Sequence, residues 1–380
     1  MCTPNNTNHS DSHAHKEPET GKPTKIIFIS DSLADPRMSK RIEDFANHGY
    51  DTEVYGFDRG IPYTTTTHYR PHIVGDITGC TSYAKRLPVI RCGIKKILAT
   101  KDAQAIYYIF GLQIAMVFRT LCRHRYIYEE ADLVHTYVSN PIKSILERID
   151  KHIIRKSMLT VLTSEGFARY HFGPKTPSNI YLIPNKLQHG ILGLPDMAKT
   201  RPENGHLRIG FLGGVRYRSI ISFAKYALKN HPHVELHFHG RVAAGMQDDF
   251  DLLRKSPNCH VHGPFKNPDD LPRIYSGIDL VLSTYDICYE NVRFAEPNKL
   301  YESIFFRTPI IVSSGTFLAD KVHDLGIGYD VNALDESSVD RLLSAITEEE
   351  LSIKRKAAGQ IEKEYATDNN EDFFLRLESL

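Results

Sequence analysis

Glu296-Pro297-Asn298-Lys299-Leu300-Tyr301-Glu302-Ser303-Ile304-Phe305-Phe306-Arg307-Thr308-Pro309-Ile310-Ile311-Val312-Ser313-Ser314-Gly315 reads as a helix that begins with proline and feeds directly into a buried strand. Pro297 suits the first helical turn, where its missing N–H forfeits no bond. The free backbone N–H groups and the positive end of the helix dipole then lie beside Asn298 and Lys299, a place suited to an anion. Asn298 and Glu302 are four residues apart and Lys299 and Glu302 three, so amide, cation and carboxylate share a face. They can converge on one ligand that carries both phosphate and hydroxyls, as a nucleotide sugar does. The alternative on the same residues is a surface Lys299–Glu302 ion pair on an amphipathic helix, a common and weakly stabilising feature.

The alternation of helix and buried strand continues in both directions from this segment. Lys25 to Ser30 reads as a strand, a loop follows through Arg37, and Met38, Ile42, Phe45 and Ala46 mark one face of a helix that stops at Gly49. Thr52 to Phe57 returns as the next strand, with further strands predicted at 104–109, 126–129, 158–163 and 180–183. A helix opening at Asn140-Pro141 is predicted to turn Ile142, Ile145, Ile149 and Ile153 inward. These elements predict one doubly wound domain over 25–185. Residues 186–206 lapse into Gly, Pro and polar residues without a period and read as a linker. Strands predicted at 207–212, 234–239, 259–262, 279–284, 309–313 and about 326–330 build a second domain over 207–347, and 348–380 reads as a charged helical segment. The fold class is α/β, with two Rossmann-like domains facing each other across a cleft where the carboxyl ends of both sheets meet.

A chain of 380 residues is long enough for two domains with full cores. Lys and Arg number 47 against 46 Asp and Glu, a formal charge of +1, so no global electrostatic case exists for nucleic acid and none is expected as a partner. Six cysteines, at 2, 80, 92, 122, 259 and 288, show no Cys-x-x-Cys spacing, which points to a reducing cytosol and not to a disulfide framework or zinc site. Residues 1–24, rich in Asn, Ser, His, Pro and charge and without an apolar run for a signal peptide, read as a disordered tail. His9, His13 and His15 within it read as passive polar residues more readily than as metal ligands. The longest uncharged run, Ala103 to Phe118, has 16 residues and is broken by Gln104, Gly111 and Gln113. It falls short of the ~20 apolar residues that span a bilayer and reads as a buried strand running into a helix.

Leu207-Arg208-Ile209-Gly210-Phe211-Leu212-Gly213-Gly214-Val215-Arg216 is a strand ending in a glycine pair and a cation. Gly213 and Gly214 allow close backbone approach to a ligand and Arg216 can fork onto phosphate oxygens, while a plain tight turn is the alternative. Neither Gly-x-Gly-x-x-Gly nor Gly-x4-Gly-Lys-Ser/Thr occurs, which counts against dinucleotide oxidoreductases and P-loop enzymes.

Pro297-Asn298-Lys299-Leu300-Tyr301-Glu302 followed by Thr308-Pro309-Ile310-Ile311-Val312-Ser313 resembles the donor-site signature of the family 4 (group 1) glycosyltransferases of the GT-B fold, in the subgroup with a Pro-x-Lys-hydrophobic-aromatic-Glu core. The resemblance runs from about Lys25 onward and is stronger in the second half. It implies that Glu302 bonds ribose hydroxyls, that Asn298 and Lys299 hold the diphosphate opposite the Gly213-Gly214 loop, and that Arg216 helps neutralise it. Arg216 and Lys299 would then be the catalytic cations. The resemblance also implies retention of anomeric configuration, and a terminal helix packed back on the first domain. Many relatives carry a Glu-x7-Glu pair, but the position eight before Glu302 is Phe294, so the usual hexose-contacting glutamate is missing. Glu296, at Glu-x5-Glu spacing, is a near substitute.

On the acceptor side, Arg125-Tyr126-Ile127-Tyr128-Glu129-Glu130-Ala131-Asp132 resembles the family's strand end with an acidic cluster. Glu129, Glu130 and Asp132 could orient an acceptor hydroxyl or serve as general base, or could be solvated loop residues. Ser30, Asp31 and Arg37 line the first loop with the same alternatives, and Ser164 of Ser164-Glu165-Gly166-Phe167 reads as a helix cap. Between Thr81 and Arg125, nine Lys or Arg stand against Asp102 alone, a local charge of +8, beside a stripe of Leu87, Ile90, Ile94, Ile97 and Leu98. This is a basic amphipathic helix for an anionic membrane surface, or a core-facing helix with a solvated basic back.

The expectation is a cytoplasmic glycosyltransferase, with docking on the inner face of the membrane as an option. It moves a sugar from a nucleotide-diphosphate donor to a glycan or lipid-linked glycan acceptor, in cell-surface polysaccharide synthesis. No metal site and no cofactor beyond the donor substrate are expected, since fixed cations and a helix dipole can stabilise the departing diphosphate. The rivals are a nucleotide-sugar epimerase on the same fold and a non-catalytic nucleotide-sugar-binding protein.

Overall fold

The computed structural model describes residues 24–63, 70–100, 104–200 and 204–380. The expected tail, with His9, His13 and His15, lies outside the described residues except for Thr24. Among the described residues, seven strands form the first sheet: β1 (Lys25–Ser30), β2 (Asp51–Asp58), β3 (His72–Asp76), β4 (Ile106–Phe110), β5 (Tyr126–Glu130), β6 (Leu159–Leu162) and β7 (Ile180–Leu182). Their order is β3-β2-β1-β4-β5-β6-β7, and every pairing is parallel. The second sheet holds β8 (Leu207–Leu212), β9 (Val234–His239), β10 (Cys259–Gly263), β11 (Leu280–Ser283), β12 (Ile310–Ser313) and β13 (Gly328–Val331), in the all-parallel order β10-β9-β8-β11-β12-β13. Both are doubly wound. Ile26 and Phe28 face one apolar layer and Ile27 and Ile29 the other, which is why β1 is an unbroken apolar run.

Helices cover both faces. In the first domain they are α1 (Pro36–Asn47), α2 (Tyr83–Thr100), α3 (Leu112–Leu121), α4 (Ile142–Lys156) and α5 (Glu165–Phe172). In the second they are α6 (Arg218–Asn230), α7 (Gln247–Leu253), α8 (Leu271–Ser276), α9 (Glu290–Phe294), α10 (Asn298–Phe305), α11 (Phe317–Leu325), α12 (Glu336–Ala345) and α13 (Glu348–Gly359). Helix α14 (Glu371–Glu378) crosses back to the first domain, where Phe374 meets Phe45 at 5.0 Å and Phe373 meets Tyr181 at 5.4 Å between ring centroids. The segment after Lys186 is not a loose tether, because Leu187 and Ile191 are buried in the second domain's core.

Three expectations need correction. Strand β3 was absent from the sequence reading because it is a short, half-exposed edge strand containing Gly75, with no apolar run to announce it. Ile142 and Ile145 are 56% and 53% exposed, since α4 buries only its later residues Asp150, Ile153 and Ile154. In α2, Ile90, Ile94 and Ile97 are buried against Phe57 and Ile77, so that stripe belongs to the core and cannot face a lipid surface, whereas Lys85, Arg91, Lys95 and Lys96 are exposed.

The two domains clasp each other directly. Ser164 caps α5, accepting from Gly166 N at 3.0 Å, and donates its own hydroxyl to Phe294 O of the second domain. A Cβ on Gly166 would lie 2.2 Å from that same carbonyl oxygen, so only glycine permits the approach. Asn291 accepts from Leu133 N at 2.7 Å and donates to Asp132 Oδ1 at 3.0 Å, and Lys143 pairs with Glu290.

Candidate active site

A cavity of about 410 Å³ opens between the domains at the carboxyl ends of both sheets. Arg37, Asp132 and Tyr137 line it from the first domain, and Gly214, Arg216, Tyr217, Tyr285, Asn298 and Lys299 from the second. Its size is in the range of sites that enclose a small organic ligand. Helix α10 points its N-terminus here, with Pro297 as the capping residue in extended conformation (φ −76°, ψ 154°) and not inside the first turn as expected. No side chain caps this helix end, so its free N–H groups remain available beside Asn298 and Lys299.

Lys299 is only 7% exposed. Its ammonium makes no hydrogen bond or salt bridge among the described residues and sits 5.5 Å from the centroid of the Phe211 ring. A Cβ on Gly213 would stand 3.5 Å from Lys299 Nζ, and Gly213 itself has φ +122°. Gly240, just past the end of β9, presses on it, for a Cβ there would come within 1.9 Å of Gly213 O. The glycine loop is thus fixed by backbone contact with Gly240, and the Lys299 ammonium lies against Gly213. Arg216 is exposed in the cavity, its guanidinium 5.1 Å from the Tyr217 ring centroid.

Glu302 is buried beneath this surface and does not line the cavity. Its Oε1 accepts from Asn298 Nδ2 at 2.7 Å and its Oε2 from Tyr275 OH at 2.7 Å. Burial pushes its carboxyl above the ordinary range, while the Lys299 charge and the Tyr275 hydroxyl pull the other way. The exposed ion-pair alternative therefore fails, as both residues are buried. Glu296 is also buried, and both its oxygens are engaged: Oε1 by Glu165 N at 2.9 Å, Oε2 by Tyr301 OH at 2.6 Å and Lys321 Nζ at 2.7 Å. Glu296 lines the cavity, and in this arrangement both its oxygens are also spent on tying the domains together.

A second cavity, of about 510 Å³, lies wholly on the first domain and is lined by Asp31, Arg59, Tyr83 and Gln113 among others. Arg37 and Asp132 line both cavities, so the two meet there. Arg37 is held by Asp35 at 2.9 Å and lies 3.9 Å from Asp132 Oδ2. Glu129 also lines the second cavity, at its floor: it is fully buried, with Oε2 fixed by Arg41 at 3.1 Å and by Tyr108 OH. The sequence reading missed Tyr137, Tyr217, Tyr285 and Asn291. It also missed Asp286, whose carboxylate caps α6 through Arg218 N and Ser219 N at 3.0 and 2.8 Å. Asn291 and Tyr285 lie outside the quoted signature and become visible only when β11 and α9 are placed. The expectation of no metal site also rests on the absence of an Asp-x-Asp tripeptide, which is incorrect: Asp249-Phe250-Asp251 is one, although it lies in α7, away from the cavity, with Asp249 paired to Lys225.

No protein-family model matches the chain. The succinoglycan biosynthesis protein ExoL of Rhizobium meliloti (strain 1021) is 24% identical to it over 358 residues, 85% of each chain. Among solved structures, that of Anabaena HepE in complex with UDP and glucose is similar with a TM-score of 0.68 at 13% identity, covering 94% of this chain and 100% of that one. Sucrose-phosphate synthase from Thermosynechococcus elongatus gives 0.66 at 15% identity, covering 94% and 98%. The fold is GT-B.

Proposed function

We propose that the chain is a glycosyltransferase that moves a sugar from a nucleotide-diphosphate donor to an acceptor hydroxyl in the building of a polysaccharide. The observation that carries this reading is Lys299, a cation only 7% exposed at the N-terminus of α10 that lines the cavity together with Arg216 and makes no hydrogen bond or salt bridge among the described residues. Cleaving the bond between sugar and diphosphate loads negative charge onto the leaving group. Fixed cations and helix N–H groups aimed at that charge lower the barrier without reorganising. Asn298 joins them, Gly213-Gly214 lets the backbone close over the phosphates, and the acceptor enters through the cavity that meets the donor site at Arg37 and Asp132.

Within this reading the chain acts as a retaining enzyme of family 4, with the acceptor attacking from the leaving-group side and the phosphate taking its proton. The complex of HepE with UDP and glucose favours a UDP-sugar donor, and ExoL's place in succinoglycan synthesis favours a glycan or lipid-linked glycan acceptor. No helix among the described residues is long and apolar enough to cross a membrane. Work at the inner membrane face would rest on the exposed cations of α2.

The test is a thermal-shift screen with UDP, GDP, ADP and TDP sugars, followed by turnover assays with the donor that stabilises most, since a ligand bound only by the native state stabilises by RT ln(1 + [L]/Kd). A UDP sugar should raise the melting temperature and be consumed only when acceptor is present. Donor conversion without acceptor would mark an epimerase, and binding without turnover on any acceptor a non-catalytic binder. No shift with any nucleotide sugar would overturn the donor site itself.

A further inference from the structure

The first domain contains a polar cluster that the transferase site does not use. Glu130 at the end of β5, His135 in the single turn Val134–Tyr137, and Asp150 in α4 are each no more than 1% exposed. One ligand-capable atom from each lies within 4.8 Å of the other two. Each carboxylate has one oxygen tied down: His171 Nε2 lies 2.9 Å from Glu130 Oε2, and Tyr128 OH donates to Asp150 Oδ1 at 2.9 Å. The remaining oxygens, Glu130 Oε1 and Asp150 Oδ2, and both ring nitrogens of His135 make no well-formed hydrogen bond among the described residues, and what they face is one another: His135 Nδ1 lies 3.3 Å from Asp150 Oδ2, and the Glu130 carboxyl adjoins that of Asp150. Buried polar atoms are nearly always paired, and two buried carboxylates side by side are costly unless a cation or a shared proton lies between them. The 3.3 Å between His135 Nδ1 and Asp150 Oδ2 matches the edge of a tetrahedron whose corners lie about 2.0 Å from a central zinc ion.

We propose that Glu130, His135 and Asp150 bind a divalent metal ion of the zinc class as a structural site, with His171 and Tyr128 orienting the two carboxylates. One dication balances the two carboxylates, and imidazole with carboxylate oxygen is a donor set that zinc accepts. Partners of this kind on the far oxygen of a ligating carboxylate fix its direction toward the metal. The site braces the stretch after β5, which carries Asp132 and Tyr137 into the donor cavity, so its role is to position that wall. Glu235, His237 and His260 also place ligand atoms within 4.8 Å of one another, but there Glu235 Oε1 is already bonded by Asn204 and the cluster is half exposed. That second cluster serves as an internal control.

The test is elemental analysis of the full chain after unfolding and refolding, either with Zn²⁺ followed by dialysis or with a chelator throughout. Unfolding is required because the site is closed to solvent. Wild type refolded with Zn²⁺ should retain roughly one equivalent and melt higher than the chelator-refolded protein. The double variant His237→Ala/His260→Ala should retain the same zinc, while Asp150→Asn and His135→Gln should lose it. The proposal is overturned if refolded wild type carries no zinc above the buffer blank, or if its zinc disappears with His237 and His260. Equal melting temperatures with and without Zn²⁺ would also overturn it, leaving a proton shared between Glu130 and Asp150. The wild-type measurements stand even where a variant fails to fold.

Discussion

Asn298 donates its side-chain amide to Glu302 at 2.7 Å across one turn of α10, and Tyr275 fixes the other carboxylate oxygen at the same distance. Glu302 therefore acts on the cavity through Asn298, whose exposed side chain lines it. Glu302→Ala should leave Tyr275 OH buried and unpaired, lowering unfolding free energy by about 1–3 kcal/mol, and should weaken nucleotide binding by freeing Asn298. Urea unfolding and calorimetric titration on the same variant check this. Weakened binding with an unchanged urea midpoint would instead mean that Glu302 meets the nucleotide directly.

For Lys299 the predicted effects on stability and activity run in opposite directions. Lys299 has no hydrogen-bonded anion, and Glu302, whose carboxyl feels its charge, is already bonded to Asn298 and Tyr275, so holding the ammonium beside Phe211 costs desolvation in the free protein. Lys299→Met keeps the apolar stem beside Phe211, so the variant should melt no lower than wild type. Its turnover should fall on the order of 100-fold, as should that of Arg216→Ala, because both remove charge aimed at the departing diphosphate. Near-normal kcat in both would remove the donor assignment.

What the sequence displayed, and what it hid, follows from how far apart the determining residues lie. Buried parallel strands such as Ile26 to Ile29 and Ile310 to Val312 are local apolar runs, and the turn from Pro297 to Glu302 is a local pattern, so both could be read directly. The fates of Glu296 and Glu302 depend on partners that no spacing rule connects to them. Lys321 and Glu165 hold Glu296, and Tyr275 holds Glu302. Helical periodicity marks Ile142 and Ile145 as apolar but cannot show that the fold leaves the first turns of α4 exposed.

Gly166 tests whether the clasp between domains matters for activity. Because its Cβ would meet a backbone oxygen at 2.2 Å, Gly166→Ala must push the Phe294–Glu296 segment away from Ser164 and Glu165. A drop in melting temperature and at least a tenfold loss of turnover are expected, of the size that a displacement near 1 Å can produce. Gly190→Ala, where nothing lies within 4 Å, should leave both unchanged. Parallel melts and initial rates of the two variants make the comparison.

The exposed cations of α2 predict binding to anionic vesicles that falls as salt rises, at roughly 1 kcal/mol per near-surface charge. Changing Lys85, Arg91, Lys95 and Lys96 to Gln should abolish co-sedimentation at low salt. Arg86 is left in place because it bonds Cys80 O and lies 4.0 Å from Asp31. A wild type that stays in the supernatant at low ionic strength would show that this face is merely solvated.

Acid should destabilise the second domain through its histidine-lined edge. Burial, then the neighbouring His260 and His262, lowers His237 from the ordinary 6.5 to about 4, with Glu235 opposing. Burial, then His262, His237 and Arg273, lowers His239 to about 3, with Asp270 opposing. Between pH 6.5 and these values the unfolded chain binds protons that the folded one refuses, so stability falls as pH falls through that window and is fully present above it. Urea midpoints measured from pH 7 to pH 4 should decline for wild type and decline less steeply for His237→Asn/His239→Asn. Parallel curves for the two proteins would show that these imidazoles take their protons without cost to the fold.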